Sequence, residues 1–173
     1  MAIELYDVSV AGFLQTLGAV EKFLEKGRLW CVDNKVDLAS VVERRLATDM
    51  FPFRFQVISS VHHSLGAIKG AKAGLFGPPA GYGEPDYAGL QKLVTEALAE
   101  LAAMSRAEIN ALEGADMVFA LGERKTPFLA QDFLMSFSLP NFHFHATTTY
   151  GHLRALGAPL GKRDYMGRMR AKA

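Results

Sequence analysis

One cysteine, Cys31, occurs in 173 residues, so no intrachain disulfide can form and a reducing compartment fits. A lone thiol is a nucleophile only with a base beside it, and Cys31 reads more simply as a structural or surface residue. An excess of one charge is also missing. Lys and Arg number 19 against 18 Asp and Glu, a formal net charge of +1. Dedicated nucleic-acid binders carry a strong basic surplus, so no nucleic-acid partner is expected. The N-terminal "MAIELYDVSV" has no basic stretch ahead of an apolar run; no signal peptide is expected, and the expected location is the cytoplasm. Internal repeats and low-complexity segments are absent.

The most informative absence is local. From Phe133 to Leu153 there is no Asp, Glu, Lys or Arg. A stretch of that kind is either surrounded by protein or crosses a membrane. Pro140, Asn141, three histidines and three threonines argue against the membrane.

What is present is mostly helical pattern. Val10, Phe13, Leu14, Leu17 and Leu24 recur at three/four spacing, which predicts a helix from about Tyr6 to Lys26, ended by Gly27. Asp37 is a plausible N-cap for a short helix in "VDLASVVERRLATDMFP". Pro52 suits the first turn of a second long helix to about Ala73, closed by the loop "GLFGPPAGYGEPD". A third helix, about Asp86 to Met104, carries one stripe of Leu90, Leu93, Val94, Ala97, Leu98 and Leu101. "DMVFALGERKTPFLA" reads as a small hairpin. The fourth helix spans about Gln131 to Leu156. The basic tail "GKRDYMGRMRAKA", within residues 158–173, is expected to be solvated and partly mobile. Together these elements make one all-α domain over residues 1–173, a four-helix bundle with a short helix between helices 1 and 2 and a small β-hairpin before the last helix.

Helical phase sorts the histidines, because each residue turns about 100°. Arg54, His62, Lys69 and Lys72 fall in one sector, expected to face solvent, while His63 lies roughly opposite and points inward. The inward row of the second helix also contains Gln56, Ser59, Gly66 and Gly70. On the fourth helix Ser138, Asn141, His145, Thr149 and His152 share a face, and His143 turns away. The inward groups are therefore His63, Asn141 and His145. Two histidines at i, i+4 and one from a neighbouring helix would make a three-ligand metal site, and here asparagine stands in one of the three places. Asparagine is a weak donor for zinc or nickel, which prefer imidazole, thiolate or carboxylate. Three readings stay open: buried, hydrogen-bonded core histidines, a divalent metal site, or a pocket for a small organic ligand.

The residues also resemble a known family. "LRALG" (Leu153 to Gly157) follows His145 at the distance at which an "LRxLG" ending follows the second histidine of the HxxxHRGQ signature in the DinB-like (YfiT-like) superfamily. By that resemblance His145 takes the second histidine's place, Asn141 the first's, and Ala146, Thr147 and Thr148 replace "RGQ". His63 corresponds to the superfamily's histidine on helix two. Within the superfamily, "YDVSVAGFLQTLGAVEKFLEK", "RLATDMFPFRFQV", "LPNFHFHATTTY" and "PLGKRDYMG" resemble a family of unknown function, DUF1993. The resemblance implies a DinB-like four-helix bundle and a metal motif that keeps two of three histidines. Related bundles include thiol-dependent transferases and an isomerase, and the enzyme alternative this suggests, a metal-dependent transferase or hydrolase, transfers here only by analogy of fold. The rival is a non-catalytic oligomerisation module with structural histidines. A homodimer is expected, because Phe133, Phe137, Phe142 and Phe144 offer more apolar surface than one core readily covers.

Overall fold

The computed structural model describes residues 2–172. Its first rod is α1 (Leu5–Val8) followed by α2 (Val10–Asp33). Val10, Phe13, Leu17 and Leu24 are buried along one face of α2, and Leu14 is part-buried beside them. The expected stop at Gly27 is not used. A Cβ on Gly27 would lie 2.7 Å from a Leu153 methyl, so this glycine permits close helix packing and α2 continues six residues further. Asp37 does cap α3 (Leu38–Glu43), accepting from the backbone N–H groups of Ala39 and Ser40.

The second rod has three parts: α4 (Phe53–Val61), a π-helical turn (His62–Gly66) and α5 (Ala67–Ala73). Gly74, at φ +70°, supplies the left-handed residue that ends it. The loop that follows contains a strand, β1 (Leu75–Phe76), before α6 (Tyr87–Ala102) starts on the Asp86 cap. Leu90, Val94, Ala97 and Leu101 are buried on α6, with Leu93 and Leu98 part-buried at the edges of the stripe. A short α7 (Arg106–Asn110), capped by Ser105, was not visible in the periodicity.

β2 (Asp116–Leu121) and β3 (Arg124–Leu129) form the expected hairpin, in register from Asp116 opposite Leu129 to Leu121 opposite Arg124. β1 adds a parallel third strand, with Leu75 opposite Val118 and Phe76 opposite Phe119. Two paired residues give too short a signal to separate from a Gly/Pro loop. The last rod is α8 (Ala130–Asp132), a second π-turn (Phe133–Ser138) and α9 (Leu139–Leu156).

α4 packs along α9, and α2 along α6, around a core in which Phe13, Phe23, Phe53, Phe133 and Phe142 are fully buried. The chain is thus a mostly helical four-rod bundle with a small sheet. The tail departs from the expected solvated terminus: α10 (Lys162–Met166) docks on α2. Lys26 pairs with Asp164 at 3.1 Å, Gln15 Nε2 donates to the Met166 carbonyl, and the Tyr165 ring meets Tyr150. Among the described residues no helix is long and apolar enough to cross a membrane.

Candidate functional site

The two π-turns are joined across the core. Ser138, at the end of one, donates its hydroxyl to the carbonyl oxygen of His63 in the other, at 2.6 Å. A π-turn inserts a residue into a helix and is found disproportionately at functional sites. Here it lies where α4–α5 presents His63 to α9. His63 and His145 come together as the helical phase predicts, with ring centroids 5.8 Å apart and planes 11° from parallel. Phe76 and Phe137 flank the His63 ring, and Phe55 and Phe144 flank His145.

This surrounding is apolar, and it sets the charge of both rings. Burial first, then the neighbouring His62 and His145, bring the His63 pKa down from 6.5 to about 3. Burial, then His62, brings His145 to about 4. Both imidazoles are neutral at neutral pH. His145 Nδ1 lies 2.8 Å from Gln56 Oε1, and Gln56 Nε2 donates to the Phe51 carbonyl at 3.0 Å. Among the described residues, His63 Nδ1 and the neighbouring Ser59 Oγ are buried without a partner.

His62 overturns the expectation that it faces solvent away from the pair. Arg54, Lys69 and Lys72 do face outward, pairing with Glu43, Glu100 and Glu108. The loop after α5, however, folds back over His62. Its ring stacks on Phe76 at 4.3 Å, Nε2 donates to the Gly77 carbonyl at 2.7 Å, and Nδ1 lies 3.3 Å from the Tyr82 hydroxyl. Gly70 makes the room, since a Cβ there would meet Phe76 at 2.8 Å and the Leu75 carbonyl at 3.1 Å. His62 therefore adjoins the pair, 5.4 Å from His63.

Asn141 is part-buried on α9, and its Nδ2 donates back to the Phe137 carbonyl at 2.7 Å. His143 turns away to Tyr165. His152, at the far end of the same face, is fully buried against Phe53, with neither ring nitrogen partnered among the described residues. The role of Gln56 was missed in the sequence. Its one available signal was a long amide in the same inward row as His63.

Among the described residues no group of three or more His, Cys, Asp or Glu side chains is placed to hold a metal ion. The donor set at the pair is two neutral imidazoles. That chemistry fits a divalent ion held by two nitrogens with its other positions open, and it does not supply a closed protein shell. Two surface grooves of about 340 and 390 Å³ lie on either side of Arg54, and neither is lined by His63 or His145. Their walls are chiefly apolar, whereas the histidine pair has unpartnered polar atoms, the stronger sign of a site.

The family model described as "Domain of unknown function (DUF1993)" matches residues 5–166. Among solved structures, the chain is similar to a DinB family member protein from Shewanella denitrificans, crystallised and solved at 1.83 Å. The two are 26% identical over 98% of this chain and 95% of that one, with a TM-score of 0.81. Among curated proteins there is no match.

Proposed function

The chain belongs to the DUF1993 family of DinB-like helical bundles, and from that premise we propose that it binds a divalent metal ion of the zinc or nickel type at the His63–His145 pair. The observation that carries this reading is the pairing itself. Two neutral imidazoles from different helices meet in an apolar surrounding, and neither Nε2 has a hydrogen bond to a described residue. Neutral imidazole is the form a metal requires, and it suits zinc and nickel. Asn141, one helical turn before His145 on α9, is the candidate for a third, weak oxygen donor. A bound ion would supply Lewis-acid activation of a water or thiol, the chemistry of a transferase or hydrolase. Metal analysis of the untagged protein purified without chelator tests the reading; stoichiometric zinc or nickel is expected, and a metal-free protein that takes up neither ion argues against it.

A second reading concerns assembly. Phe133 and Phe142 are wholly buried, so most of the expected aromatic surplus is used inside one chain. Phe144, beside His145, and Phe51, stacked on Phe55, are still 58% and 59% exposed. That uncharged surface favours a homodimer in which α9 of one copy meets α9 of the other, in the cytoplasm where Cys31 stays reduced.

A further inference from the structure

We propose that Gln56 is the positioning residue of this site: it holds neutral His145 in the Nδ1–H tautomer and so leaves Nε2 as the nitrogen with a free lone pair. This rests on His63 and His145 forming the site, but it does not depend on which ligand arrives.

The chain of constraint starts at Pro52. Proline biases the residue before it toward extended backbone, so Phe51 stands outside α4 and its carbonyl takes no part in the helical ladder. That carbonyl receives Gln56 Nε2 at 3.0 Å. A carbonyl oxygen only accepts, so the amide nitrogen must be the end that faces it, and the two ends of the Gln56 amide are thereby distinguished. Oε1 is left facing His145 Nδ1 at 2.8 Å. An amide oxygen also only accepts, so Nδ1 must donate. A neutral imidazole has one N–H, which leaves Nε2 unprotonated. Gln56 is only 2% exposed, so its amide cannot turn away to water.

His62 shows the opposite outcome. Its Nε2–H is committed to the Gly77 carbonyl and its Nδ1 accepts from Tyr82, so both nitrogens are spent on holding the loop. Of the adjoining rings, then, one is locked and one is set with a lone pair available. In histidine metal sites, the outer partner that fixes the tautomer is worth about 10–100-fold in affinity.

Histidine labelled with 15N and read by long-range proton–nitrogen correlation at neutral pH tests this directly. His145 is expected as the Nδ1–H form in the wild type. Gln56→Leu should shift it to the Nε2–H form and lower zinc affinity about 10–100-fold. Gln56→Glu, whose carboxylate only accepts, should keep the Nδ1–H form and the affinity. An Nε2–H tautomer in the wild type, or an unchanged tautomer in folded Gln56→Leu, overturns the proposal. Should the leucine variant not fold, the wild-type tautomer alone decides. A Gln56-dependent tautomer in a protein that binds no zinc upholds the positioning role and rejects the metal reading.

Discussion

At the scale of single residues, His152 carries the clearest energetic consequence. It is fully buried, both ring nitrogens lack partners among the described residues, and the Phe53 ring meets it nearly perpendicular at 5.6 Å. Burial first, and the Arg44 charge second, bring its pKa from 6.5 to about 4. The folded pKa is therefore below the unfolded one. As pH falls, the unfolded chain takes up the proton first, so stability is fully present above about 6.5 and is lost between there and about 4. His145 acts in the same direction and window, and His63 in the same direction down to about 3. His152→Leu removes the orphaned nitrogens, and its loss of stability on going from pH 7.5 to pH 4 should be smaller than wild type by up to about 3 kcal/mol. Urea unfolding at those two pH values measures this; parallel losses in both proteins would contradict it. Residue orientation was legible for His63, His145 and His143, because a regular helix fixes where each side chain points. It was not legible for His62, whose burial depends on a loop more than ten residues away in sequence.

At the scale of elements, the joined π-turns hold the site. Ser138→Ala removes the hydroxyl bond to the His63 carbonyl, an expected loss of about 0.5–1.5 kcal/mol in chemical unfolding. A loss within error of zero would mean that the two turns are fixed by packing alone. Neither π-turn could be read from the sequence. His62–Gly66 and Phe133–Ser138 are continuous with the helices around them, and five or six residues of altered pitch leave the apolar stripe on either side intact. Gly27 was misread for a related reason: its missing Cβ serves a contact with Leu153, 126 positions away, and local composition cannot distinguish that from a helix stop. The cap at Asp37 and the hairpin were legible, since each depends on residues only a few positions apart.

At the scale of the whole molecule, the four rods were legible from their stripes and from the family's strings, and the match over residues 5–166 agrees. Assembly should follow from the α9 surface: light scattering at micromolar concentration is expected to give twice the 18.9 kDa chain mass, and Phe144→Glu to return it to the monomer. A wild-type mass near that of one chain removes the dimer. The central claim is the two-histidine site, and titration calorimetry of zinc into metal-free, untagged protein tests it most directly. One saturable ion per chain is predicted, abolished in His63→Gln and in His145→Gln. Asn141→His is predicted to tighten it, since position 141 precedes His145 by one helical turn and imidazole is the better donor. No saturable binding by wild type, or binding that survives both histidine substitutions, would contradict the account.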